Sequence, residues 1–171
     1  MKAAYSKAME ALYLFCATIA GLCIVIMTIV IPWGVFTRYI LNSASSWPEP
    51  LSIQLVILFT FFAGAACYRG GVHIAVSMVV DAMPPLQRRI ANGARDIIMA
   101  LISIFAVIWG IKLVEATWLN TIAEFPWLSV GVSYMPIPIG GFITLLFVIE
   151  QVWIGPPGAN SFVHREPISA D

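Results

Sequence analysis

Charged residues are scarce in this 171-residue sequence: Asp, Glu, Lys and Arg together make up 11% of it, nine basic against nine acidic. A chain that is 60% hydrophobic, with a mean hydropathy of +0.91, has too little polar surface to cover a water-soluble globule. This excludes a soluble enzyme or a DNA-binding domain. The zero formal net charge supplies no field to collect nucleic acid, so no nucleic-acid partner is expected. Histidine occurs twice, as His73 and His164, and neither lies inside a long apolar run, so the facing histidines of a membrane cytochrome are missing. The three cysteines make no even framework: Cys16 and Cys23 are seven residues apart, about 10 Å along a helix, too far for a disulfide. They read as small packing residues. With no nucleophile and base pair, no Gly-rich phosphate loop and no metal-spaced cluster, no enzymatic activity, cofactor or metal site is expected.

What the chain has in abundance is apolar length. A bilayer core of about 30 Å needs roughly 20 apolar residues in a helix, and four runs near that length occur, at about residues 8–36, 51–68, 94–115 and 134–154. They lack the two-residue alternation of a barrel, and backbone groups cannot stay unpaired in hydrocarbon, so helices are the spanning choice. The predicted fold is an all-α integral membrane protein, a single four-helix domain over residues 1–154 with a flexible cytoplasmic tail at 155–171. Lys2 and Lys7 before the first run look like a signal peptide, but the run is too long and no A-x-A cleavage signal closes it, so it is expected to persist as the first helix. That helix must tilt or break near Pro32. Glu10, Glu115 and Glu150 lie near span ends, where solvation or a neighbouring chain is expected to satisfy them, and Arg95 and Lys112 are expected to send their charges outward. Residues 72–83 are apolar except for His73, Ser77 and Asp81 at four-residue spacing, which predicts an interfacial amphipathic helix between spans two and three.

Orientation follows from the basic residues. Lys2, Lys7, Arg69, Arg88, Arg89, Arg95 and Arg165 flank one side and only Arg38 and Lys112 the other, which predicts both termini in the cytoplasm. Trp33, Tyr39, Trp47, Trp118, Trp127 and Tyr134 then cluster at the outer interface, where amphipathic rings fit. Small residues, namely Ala63 to Ala66 around Gly64, Ala106 with Gly110, and Gly140 with Gly141, permit close helix contact, either internal or with another subunit.

Three linked features suggest a family: Arg38-Tyr39 closing the first span, Ser46-Trp47-Pro48-Glu49 opening the second, and Arg69-Gly70-Gly71-Val72-His73-Ile74 after it, with Met83-Pro84 following. In this order and spacing the chain resembles the small membrane (Q-type) subunit of tripartite ATP-independent periplasmic (TRAP) transporters, the C4-dicarboxylate and sialic acid carriers. It departs from the family pattern at Pro50, where a second acid is common, and at Ser77, where an Asp is common. The resemblance carries over Arg38, Trp47, Glu49, Arg69 and His73 as structural and subunit-interface residues.

The resemblance implies a division of labour in a bacterial inner membrane. A periplasmic substrate-binding protein captures an organic acid such as sialic acid or a C4-dicarboxylate, and a large membrane subunit moves it with a sodium gradient. This non-catalytic small subunit supports the mover amid membrane lipid. The outer residues Trp47, Glu49, Glu124 and Trp127 are candidates for docking the binding protein. Two alternatives differ in class. One is a free-standing, self-assembling four-helix carrier of small hydrophobic cations, which would need a midmembrane carboxylate; the other is a structural membrane protein unrelated to transport.

Overall fold

The computed structural model describes residues 2–43, 45–71 and 84–155. Its elements are α1 (Lys2–Tyr39), α2 (Pro48–Gly70), α3 (Pro85–Thr117), a hairpin of β1 (Thr121–Ile122) and β2 (Phe125–Ser129), the short α4 (Val130–Tyr134) and α5 (Pro136–Trp153). Four helical stretches are long and apolar enough to cross a membrane: Tyr5–Tyr39, Pro48–Gly70, Leu86–Thr117, and Val130–Trp153, which joins α4 to α5. The chain is an all-α integral membrane protein with one small hairpin among the described residues. The expected interfacial helix at 72–83, His73 with it, and the tail beyond Gly155 lie outside the described residues.

Proline and glycine set the helix limits. Pro48, Pro85 and Pro136 each open a helix at the position where a missing N–H costs nothing and a fixed φ is already helical. Gly71 closes α2 in the left-handed region at φ 64°, its N–H donating to the Tyr68 carbonyl at 3.2 Å. Of the two outcomes expected at Pro32, the helix does not break: α1 continues through it for 38 residues, about 57 Å. That exceeds the roughly 40–45 Å of a whole bilayer, so α1 crosses at a tilt or projects beyond it. Four threonine hydroxyls inside the spans turn back on their own helices. Thr18, Thr28, Thr60 and Thr144 each donate to the carbonyl four residues earlier at 2.7–2.8 Å, which leaves no bare hydroxyl toward lipid at these positions.

The spans are not arranged in chain order. α1 lies along α2, α2 along α5, and α5 along α3, so the last helix is inserted between the second and the third. Glycines make this possible. A Cβ on Gly140 would stand 2.7 Å from Phe61 Cβ of α2, and one on Gly141 would stand 3.0 Å from Ala106 Cβ of α3. On the same seam, a Cβ on Gly110 would meet Pro138 Cδ at 2.9 Å. Close backbone approach is the main route to van der Waals attraction between helices in lipid, where apolar burial offers little drive. The expected small-residue contacts at Ala106, Gly110, Gly140 and Gly141 are therefore internal, whereas Gly64 has open space around it. As a result α5 is the most buried span and α3 the least.

One end of the molecule, here the terminal end, holds the start of α1, the end of α2, the start of α3 and the end of α5. The opposite loop end holds the α1–α2 junction and the hairpin. The apolar core is biased toward the terminal half, with Met9 and Cys16 of α1, Phe62, Ala65 and Tyr68 of α2, and Phe147 of α5 at its centre.

Candidate functional site: a polar knot and the loop-end surface

At the terminal end, side chains from α1 and α5 converge on Arg69 of α2. Its Nε donates to Glu150 Oε2 at 2.7 Å and its Nη2 to Glu150 Oε1 at 2.9 Å, a two-point pairing of guanidinium and carboxylate. Both partners are buried, with side-chain exposures of 1% and 3%. The guanidinium carbon also lies 5.6 Å from the centre of the Tyr13 ring of α1 and 5.7 Å from that of Phe147 of α5. Desolvation strengthens such contacts between a cation and a ring face. Arg69 Nη1 is buried without a hydrogen-bond partner, so its surroundings are the rings rather than a third acceptor.

A second layer brings in α3. The Tyr68 hydroxyl donates to Asp96 Oδ1 at 3.0 Å, and Arg95 Nη2 donates to the same oxygen at 2.8 Å and to Gln151 Oε1 at 2.7 Å. Gln151 Nε2 donates back to the Tyr68 carbonyl at 3.2 Å, which also accepts from the Gly71 N–H at the end of α2. Consecutive pairs make this possible. Tyr68-Arg69 on α2, Arg95-Asp96 on α3 and Glu150-Gln151 on α5 each turn one member to the inner layer or to its neighbour's partner. Tyr5 completes the fastening of α1, its hydroxyl donating to the Leu146 carbonyl at 3.1 Å while its ring meets Trp153 edge to face.

Two sequence expectations are corrected here. Glu150 is not a solvated end-of-span acid, because the close packing of α5 on α2 at Gly140 goes with its placement opposite Arg69, out of water. Arg95 does not send its charge away from the protein; Asp96 and Gln151 hold it against the neighbouring helices. Tyr68, Asp96, Glu150 and Gln151 were missed because each was judged against its own span. The signal available in the sequence was an acid near the end of each of two apolar runs, Asp96 and Glu150, at the same membrane end as Arg69.

The loop end is built differently. Arg38 Nη2 and Glu49 Oε2 are 3.8 Å apart, at the outer limit of an ion pair, with side-chain exposures of 58% and 77%. Below them Gly34 lies against Pro48, where a Cβ would stand 3.2 Å from Pro48 Cβ. Trp47 precedes α2 and is partly exposed. Glu124 and Trp127 ride on the hairpin beyond α3, with Trp127 80% exposed and its ring edge to face with Phe125. Ser129 fixes the hairpin to the short helix: its hydroxyl donates to the Trp118 carbonyl at 2.6 Å and accepts from Gly131 N–H at 3.0 Å. The four residues grouped as one outer patch therefore belong to two structural units, the α1–α2 junction and the hairpin.

The geometry defines a polytopic membrane protein whose buried charges are committed to one another, and no described group of three or more His, Cys, Asp or Glu residues is able to hold a metal ion. Comparison with known proteins makes the class specific. The family model of the DctQ component of tripartite ATP-independent periplasmic transporters matches residues 27–155, and the chain belongs to that family. It is also 27% identical over 143 residues to a Haemophilus influenzae protein named as a TRAP transporter small permease protein, covering 84% of this chain and 86% of that one. The chain is thus a small permease subunit of a transporter, not an enzyme.

Proposed function

We propose that this subunit is a scaffold in a bacterial inner membrane, bracing a larger transport subunit that carries an organic acid, such as sialic acid or a C4-dicarboxylate, on a sodium gradient. The observation that carries this reading is the internal pairing of Arg69 with Glu150. The buried charged side chains among the described residues, Arg69 and Glu150, hold the subunit's own helices together at one end, and the long flanks of α1 and α3 face outward as apolar walls. A wall of this kind suits lipid and partner helices, whereas an ion or acid pathway needs unpaired polar groups at depth.

The excess of Lys and Arg at the terminal end supports a cytoplasmic knot and a periplasmic loop end. Alkaline phosphatase fused after Asn42 or Thr121 is then active, and fused after Asp81 or Asn160 inactive. Docking of the periplasmic binding protein is assigned to the hairpin half of the outer patch, because Glu124 and Trp127 project from a unit tied to α3 and α4 by Ser129. Reversal of Glu124 to Lys, in a complex that still copurifies, should weaken the dependence of uptake on binding-protein concentration.

The deciding experiment is reconstitution. Proteoliposomes with this subunit alone take up no organic acid, and adding the large subunit and binding protein restores sodium-dependent uptake. Uptake by this chain alone would refute the scaffold reading.

A further inference from the structure

A groove of about 470 Å³ runs down the outward side of the α1–α2 contact at the loop end. Its walls are apolar, with Ile31 and Val35 on α1 and Ile53 and Val56 on α2, each about half exposed, and its mouth carries Arg38 and Glu49. The walls descend seven residues from each charged residue, to Ile31 and to Val56, about 10 Å below the helix ends, which is the upper part of an acyl chain. Gly34 and Pro48, packed against each other, line it near the mouth. Of the other polar side chains that line it, the Ser52 hydroxyl already donates to the Pro48 carbonyl at 2.7 Å, and Tyr39 and Ser45 stand at its loop end. Arg38 and Glu49 are the charged groups that line it.

These charges are of opposite sign, loosely paired at 3.8 Å and well exposed, so each retains unsatisfied capacity. We propose that the groove is a site for one phospholipid with a phosphoethanolamine headgroup. Arg38 donates to the lipid phosphate, Glu49 accepts from its primary ammonium, and the acyl chain lies between Val35 and Ile53. The match is to a zwitterion bearing N–H donors. A purely anionic headgroup would meet repulsion from Glu49, and a quaternary ammonium would offer it no hydrogen bond. The inference goes beyond the scaffold role and does not depend on which side of the membrane the loop end faces, because both leaflets present headgroups at helix ends.

The test is native mass spectrometry of the full-length chain released from nanodiscs holding equal amounts of phosphatidylethanolamine, phosphatidylcholine and phosphatidylglycerol. One retained phosphatidylethanolamine is expected, favoured over each competitor by about fivefold or more. Arg38→Gln should abolish that preference, and Glu49→Gln should move it toward phosphatidylglycerol. Val35→Trp, which fills the groove and leaves both charges in place, should reduce retention of all three lipids. Circular dichroism and thermal melting confirm that each variant is folded. Equal retention of the three lipids by the unaltered chain, or a preference unchanged by Arg38→Gln and Val35→Trp, would overturn the site. So would disulfide capture of Ile53→Cys by a cysteine-scanned large subunit in a complex that retains no lipid, since a protein helix would then fill the groove. Neither result bears on whether the complex transports, so the lipid site and the scaffold role fail separately.

Discussion

The two ends of this small subunit use the same pair of residue types to different effect. At the terminal end Arg69 and Glu150 meet in two short hydrogen bonds with almost no exposure; at the loop end Arg38 and Glu49 stand 3.8 Å apart with most of their surface open. Coulomb attraction at such distances changes severalfold with the surrounding dielectric, and so does the penalty for leaving one charge alone. Burial makes the inner pair obligatory, because neither member has water to fall back on. The outer pair is optional and leaves both charges available to something else. A family motif that lists Arg38, Glu49 and Arg69 side by side conceals this difference.

The sharpest way to break the comparison is to remove one partner at each end. Glu150→Ala leaves the Arg69 guanidinium buried and uncompensated, and a loss of about 3–5 kcal/mol is expected, read as a large drop in the thermal unfolding midpoint in detergent. Joint replacement, Arg69→Met with Glu150→Leu, removes both charges and should recover most of that loss. A double variant as unstable as Glu150→Ala would mean that the knot's value lies in packing geometry rather than in charge compensation.

A second contrast lies on the glycine seam that brings the inner pair together. Gly140→Ala forces a Cβ to 2.7 Å from Phe61 Cβ and 3.1 Å from the Phe61 carbonyl oxygen, so α2 and α5 must separate, at a cost of about 1–3 kcal/mol. Gly64→Ala meets nothing within 4 Å and should gain up to about 1 kcal/mol from helix propensity. Measured by the same melts, equal effects at the two positions would contradict the inserted placement of α5.

The smallest effect is expected at the loop end. In a double-mutant cycle of Arg38→Ala and Glu49→Ala, the coupling should be about 0–1 kcal/mol and should shrink with added salt. A coupling near that of the inner pair would erase the distinction between the ends.

Much of this was legible in the sequence. The four apolar runs and the scarcity of charge read directly as membrane helices, because length and hydropathy are properties of a segment taken alone. The motif residues Arg38, Glu49 and Arg69 also pointed to the right family. The hairpin at Thr121–Ser129 was not foreseen: its Phe-Pro-Trp-Leu-Ser strand has no clear alternation, and its end is anchored by Ser129 bonds to Trp118, just past α3, and to Gly131 of α4. The role of Glu150 was not foreseen either, since an acid near a span end is ordinarily solvated.

Segment hydropathy, helix limits and the family motifs are thus written in the chain, residue by residue, because each depends on the transfer of local groups from water to lipid or on local backbone freedom. Helix order is not. Only the tertiary structure decided that α5 inserts between α2 and α3, since that choice rests on whether Gly140 and Gly141 let two backbones approach at once. The approach then decides which charges are shielded from water, and so which of two Arg and Glu pairs becomes a buried fastening and which remains an open mouth.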